Sequence, residues 1–152
     1  MLRNALGSLM GLVGAAAAVW SPFRAWYDGR LGRDYRVQEL FTSTGITDHG
    51  STLAASILLP YLFAAVLTLC AVLLRSRLLM ALAGIVVLGF TVLWTVRQGQ
   101  AAGSLSIGGT TRALGDGLAN AYGAGALILL GAVVMRGRPG RPARPLPPTT
   151  PA

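Results

Sequence analysis

Apolar positions in this chain gather into four long runs, and polar positions fall between them and at the C-terminal end. The runs cover residues 2–20, 52–74, 78–96 and 118–135, and none carries a charge once Arg3 is assigned to the flank of the first. Each comes close to the roughly 20 mostly apolar residues that a helix needs to cross a hydrocarbon core. The pattern therefore predicts an all-α membrane protein. Its expected form is a four-transmembrane-helix bundle (1–135) with a larger first extracytoplasmic loop at 21–51, a second loop at 97–117, and a disordered C-terminal tail at 136–152.

Composition supports lipid as the solvent. The chain has 152 residues, 53% hydrophobic and only 12% charged, with a mean hydropathy of +0.60, whereas soluble domains carry roughly 25% charged residues. A net charge of +8 raises the question of nucleic acid, because Arg neutralises phosphates. The distribution answers it: the Arg residues flank apolar runs or sit among the prolines of the tail, with no basic helix, aromatic RNA-binding signature or zinc-finger spacing. No nucleic-acid partner is expected. Thirteen Arg with no Lys fits a GC-rich coding sequence. The single cysteine, Cys70, lies in an apolar run, which excludes an internal disulfide and paired-cysteine redox chemistry.

Basic residues near span ends set orientation, since the side richer in Arg stays inside. With the N-terminus in the cytoplasm, Arg3, Arg75, Arg77, Arg136, Arg138, Arg141 and Arg144 are inside, against Arg24, Arg30, Arg33, Arg36, Arg97 and Arg112 outside. The margin is one residue, and the tight Arg75-Ser76-Arg77 turn favours the same choice. Both termini are thus expected in the cytoplasm of a bacterial plasma-membrane protein. The run Ala15 to Ala18 also fits a signal-peptide cleavage region, but an uncleaved anchor is the preferred reading. Trp20 and Trp94 fall at the expected outer span ends, with Trp26, Tyr27 and Tyr122 nearby, as in an interfacial aromatic belt.

Lipid offers no hydrophobic reward for helix association, so close packing needs small side chains. Gly7, Gly11 and Ala15 recur every four residues in the first run, beside Gly14 and Ala18, and the fourth run offers Ala119, Gly123, Gly125 and Gly131. Packing of the first span on the fourth is expected, with a homo-oligomer through the same face as the alternative. Pro60 should bend the second span, because it removes an amide donor and crowds the preceding turn.

The 21–51 loop is the informative polar segment. Trp26 and Tyr27 precede an Asp28-Gly29 turn signal, followed by Arg30, Arg33 and Arg36. These five residues are the candidate contacts for a partner or an anionic headgroup, since guanidinium forks suit carboxylate and phosphate. A lid over the helix ends, tied by Arg pairs to Asp or Glu, is the competing use of the same residues. Val37, Leu40 and Phe41 have helical spacing, and Asp34 is placed to cap a short amphipathic helix over 35–41. Asp48-His49 is far short of a metal ligand set. Glycines in 97–117 argue against a long rigid element there, although a re-entrant segment near Leu105 to Thr111 is an option. The six prolines of the tail oppose a packed structure.

Coupled transporters place ionisable groups within the membrane, and the four runs have none. No nucleophile elbow or metal motif accompanies the loop carboxylates. The expected role is a noncatalytic accessory or interaction protein without cofactor or bound metal, its partners being membrane lipids and another membrane protein or a second copy. A small oligomeric channel or transporter is the alternative, and an outer-face membrane enzyme a lesser one. The layout is similar to the general plan of tetraspan proteins such as claudins, but the loop lacks their paired cysteines, and the resemblance implies architecture alone.

Overall fold

The structure, a computed structural model, describes residues 1–47, 49–103 and 114–135. Four helices dominate it: α1 (Leu2–Trp20), α2 (Leu58–Leu74), α3 (Arg77–Ala102) and α4 (Asp116–Val134). Three of them, α1, α3 and α4, are long and apolar enough to cross a membrane, and α2 is a shorter apolar helix. At 1.5 Å per residue, the 17 residues of α2 span roughly 26 Å. Large apolar side chains including Leu6, Leu9, Val13, Phe63, Val66, Leu69, Leu82, Ile85, Leu130 and Val133 stand exposed on the helices. Lipid is the solvent that accepts such a surface, and the protein is a helical membrane protein.

The helices pack antiparallel as a ring in which α4 meets α1 and α3, and α2 meets α1 and α3. The closest seam joins α1 to α4. Gly7, Gly11, Gly14, Ala15 and Ala18 form the buried stripe of α1. A Cβ at Gly7 would lie 2.6 Å from the Gly131 carbonyl oxygen, and one at Gly131 would lie 2.7 Å from that of Gly7. Backbone thus meets backbone, as small residues permit. Gly14 faces Ile128 and the Ala124 carbonyl, while Gly11 faces Met80 of α3. On α4 the stripe runs through Ala121, Ala124, Gly125, Ile128, Gly131 and Ala132. Gly123, expected at this seam, is instead exposed with open space around it: one step of the helix turns it about 100° away from the inward-facing Ala124. Ala119 is exposed as well.

Helix bounds differ from the apolar runs where the cap intervenes. Residues 52–57 are apolar but not part of α2, because their backbone serves the preceding loop: Ser56 bridges Arg36 and the Ile57 amide donates to Tyr35 O at 3.1 Å. Pro60 consequently falls in the first turn of α2, where no intrahelical amide donor is required, so the mid-span position expected for a kink does not exist. α3 continues through Arg97 and Gly99 to Ala102, past the expected start of the second loop, before Gly103 ends it at φ +75°. The re-entrant option near Leu105 to Thr111 and the 136–152 tail lie outside the described residues. At the opposite end, Arg75 at φ +51° and Ser76, whose Oγ accepts from the Leu79 amide at 3.4 Å, close the tight α2–α3 turn.

Several polar groups within the helices bond to one another or to helix carbonyls. Tyr61 and Thr91 hydroxyls lie 2.6 Å apart across α2 and α3, and Thr95 and Tyr122 hydroxyls 2.9 Å apart across α3 and α4. Asn120 Nδ2 donates to Ala17 O at 2.8 Å, and Thr68 Oγ1 to Ala64 O at 2.9 Å. Each bond removes a donor that lipid could not satisfy.

Candidate binding site on the cap

Residues 21–47 and 49–57 fold over one end of the helix ring. Strands β1 (Ala25–Tyr27) and β2 (Arg30–Leu31) pair antiparallel, Tyr27 opposite Arg30. The Asp28-Gly29 turn that joins them has φ +48° and +74°, the sign at both central residues that a two-residue hairpin turn with matching twist requires. A 3-10 turn at Val37–Leu40 replaces the expected amphipathic helix, and no side chain caps it. Asp34 belongs to the previous 3-10 turn, Gly32–Asp34. Leu40 is nevertheless buried, Val37 packs on the core, and exposed Phe41 meets Phe90 of α3 edge-on at 6.0 Å.

The cap is anchored by aromatic rings. Trp26 is fully buried, 4.9 Å from Trp94 in an edge-to-face pair and 6.0 Å from Tyr61; Tyr35 meets Trp94 at 5.2 Å. Trp26 Nε1 donates to Ser21 O at 3.0 Å. Such pairs add about 0.5–1.5 kcal/mol each beyond burial. Trp94 and Trp26 are therefore core residues and not members of an interfacial belt, whereas Trp20 is exposed. The fit needs glycines: a Cβ at Gly32 would lie 2.5 Å from Trp26 Nε1, and one at Gly117 would lie 2.7 Å from Trp26 Cδ1. Gly115 N donates to Trp26 O at 2.7 Å and Ser21 Oγ to Gly117 O at 2.6 Å, so the start of α4 is tied to the cap.

The candidate arginines divide by use. Arg30 donates through Nη1 to Thr47 O at 2.8 Å and through Nη2 to Asp34 O and His49 O, each at 3.0 Å, while its guanidinium carbon lies 4.3 Å above the Tyr35 ring. Arg36 donates to Gly50 O from Nε at 3.3 Å and Nη2 at 3.1 Å. These side chains staple loop carbonyls, in place of the Arg-to-carboxylate ties expected of a lid. Arg33 makes only a 4.0 Å approach to Asp34 and a 5.6 Å approach of its guanidinium to Phe23, with its side chain 42% exposed. The other ion pair among the described residues, Arg24 to Asp116 at 3.5 Å, is exposed too and contributes little to stability. Glu39 is buried and accepts from both the amide and the hydroxyl of Thr47. Arg97, on the extension of α3, donates to Leu40 O at 2.9 Å. Among the described residues no cluster of metal-ligating side chains occurs, and Asp48 lies outside them.

A cleft of about 520 Å³ opens between the cap and the end of α3, lined by Tyr27, Asp28, Arg30, Tyr35, Ile46 and Gln98 with Ala101 and Ala102. Two sequence candidates, Tyr27 and Arg30, meet here; Trp26, Arg33 and Arg36 are not among its walls. Burial pushes the Tyr35 phenol up to about 12, against the opposing influence of Arg30. Gln98 closes the inward stripe of α3 formed by Met80, Ala83, Gly84, Val87, Thr91 and Trp94. Its Oε1 and the Trp94 Nε1 one turn earlier are buried without a hydrogen-bond partner. An unsatisfied buried polar atom costs about 1–3 kcal/mol. A glutamine at the end of an apolar helical stripe was the signal available in sequence for this position. No protein-family model, curated protein or solved structure matches the chain, so the geometry of cap and cleft is what a functional reading rests on.

Proposed function

We propose that this is a noncatalytic multi-pass plasma-membrane protein in which all four helices cross the bilayer, both termini lie in the cytoplasm, and the cap presents Arg and aromatic side chains to a partner or to lipid headgroups outside. The observation that carries the reading is the division of labour among the cap's cations. Arg30 and Arg36 fasten loop carbonyls and hold a fixed surface on which Arg33 and Arg24 stand with half-open side chains. A guanidinium held on a rigid support loses less freedom on meeting a carboxylate or phosphate. Glu39, the most enclosed carboxylate among the described residues of the cap, is engaged by Thr47, which favours architecture over acid–base work. The position of α2 between α1 and α3 in the ring supports a fourth crossing despite its length. Hydroxyl pairs such as Tyr61–Thr91, turned toward neighbouring helices, weigh against the alternative of a polar-lined channel.

Topology is tested with single cysteines at positions 43 and 76 in a Cys70→Ala background. A membrane-impermeant maleimide should label position 43 on intact cells and position 76 only after lysis; the reverse pattern would overturn the orientation. Recognition is tested with a photo-crosslinking residue at position 33. Discrete protein or lipid adducts, lost when the neighbouring Arg24 is changed to Glu, are expected, and an adduct pattern unchanged by that substitution would sink the recognition role.

A further inference from the structure

We propose that the cleft at the end of α3 binds a small zwitterion, its primary ammonium held by Gln98 Oε1 and the Asp28 carboxylate and its phosphate or carboxylate facing the Arg30 guanidinium. The inference rests on the reading of the cap as a recognition surface and names what that surface takes.

Three observations carry it. Gln98 is only 7% exposed, lines the cleft, and its Oε1 meets no donor among the described residues. The atom is closed to solvent in the unliganded chain, so binding requires the amide to turn toward the cleft, where an N–H or O–H donor of the ligand satisfies it. Next, charges of opposite sign line the same walls without pairing with each other. Asp28 stands at the exposed hairpin turn, and Arg30 is fixed by the carbonyls of Thr47, Asp34 and His49. The two make no salt bridge with each other, and the Arg30 guanidinium lies over the Tyr35 ring instead. A guanidinium clamped in this way cannot swing over to neutralise the carboxylate. Three of the five N–H bonds of Arg30 are used, which leaves donors for an anion. Finally, about 520 Å³ falls within the roughly 300–1,000 Å³ of small-molecule sites, ample for a molecule the size of phosphoethanolamine or an amino acid.

A primary ammonium offers three donors, matching Gln98 Oε1 and Asp28 together, whereas a trimethylated ammonium offers none. The cleft should therefore discriminate ethanolamine from choline. The same chemistry is presented by an aminophospholipid headgroup and by a free zwitterion, and the experiment separates them. The full chain in mild detergent is equilibrated in turn with phosphatidylethanolamine, phosphatidylcholine, phosphoethanolamine and phosphocholine, and retention is read by native mass spectrometry. Ethanolamine species should be retained about tenfold over their choline counterparts, as expected for hydrogen bonds to a charged group. Preference seen only with the lipids identifies a bilayer headgroup; preference seen with the soluble pair as well identifies a free zwitterion as sufficient. Asp28→Asn, on an exposed turn, and Gln98→Leu should each abolish the preference while leaving the melting temperature of the unliganded chain within a few degrees. Equal retention of ethanolamine and choline species, or a preference that survives Asp28→Asn, would overturn the proposal. Should Gln98→Leu fail to fold, Asp28→Asn alone decides. Because retention is measured in detergent, it is independent of the cysteine-labelling result, so a failed orientation and a failed site are told apart.

Discussion

The α1–α4 seam and the cap hold the same molecule together by opposite means. At the seam, side chains are missing: Gly7, Gly14 and Gly131 let backbones approach until a single Cβ would collide with a carbonyl. Under the cap, large side chains meet: Trp26 and Tyr35 of the cap each pack edge to face on Trp94 of α3, and Trp26 lies tilted against Tyr61 of α2. The difference follows the solvent. Helices already in hydrocarbon gain little by covering apolar surface, so contact must come from intimate packing. A loop beyond the helices is folded by burying rings from water, and each buried ring system contributes a large apolar area. The two regions meet where Gly115 and Gly117 receive Trp26, and there missing and oversized side chains are complementary.

The sharpest test of this contrast lies on α4 itself. Gly131→Leu places a branched side chain between the backbones of Gly7 and Gly11 and should prevent α1 from docking, with no folded bundle recovered after detergent extraction; overpacking of this kind exceeds the usual ~1–3 kcal/mol because backbone cannot yield as side chains do. Gly123→Leu, in open space, should leave the melting temperature within a few degrees. Equal behaviour of the two variants would mean that the seam is not where stability resides. Trp26→Ala should cost about 3–5 kcal/mol, expose Tyr35 and Trp94, and leave α1 on α4; it is read by proteolysis within 21–57 combined with retained helical circular dichroism. A uniform collapse of both regions would show that cap and seam fold as one unit. The smallest effect is a pH dependence confined to the cap. Tyr35 ionises at about 12 in the folded protein against its ordinary 10.0, so the protonated phenol is the favoured folded form. Its contribution is fully present below pH 10.0 and is lost as pH rises towards about 12. Spectrophotometric titration of the wild type against Tyr35→Phe should show a late-titrating component that the variant lacks and whose ionisation coincides with loosening of the cap.

Much of the helical layout was legible because lipid imposes a one-dimensional rule. The run from Leu2 to Trp20 and the Gly7-Gly11-Ala15 spacing could be read directly, since every residue of a membrane helix satisfies its backbone locally and its small face must meet another helix. The cap resisted the same reading. Residues 52–57 run on without a charge into α2, yet Ile57 donates to Tyr35 O and Ser56 bridges Arg36. Arg97 and Gly99 look like loop residues but continue α3, where Arg97 reaches Leu40 O. Arg30 and Arg36 looked free and are bonded to carbonyls from positions 14 to 19 residues away.

The sequence by itself determined that the chain is built of apolar helices, where α1 lies, and which small residues of α1 face inward, because hydropathy and helical period are local properties. Only the tertiary structure decided which α4 residues answer them, how residues 21–57 close over the ring, and that Gln98, Asp28 and Arg30 line one cleft. Those outcomes depend on partners distant in the chain, and a hydrogen bond or a ring contact between distant segments leaves no periodic trace in either of them.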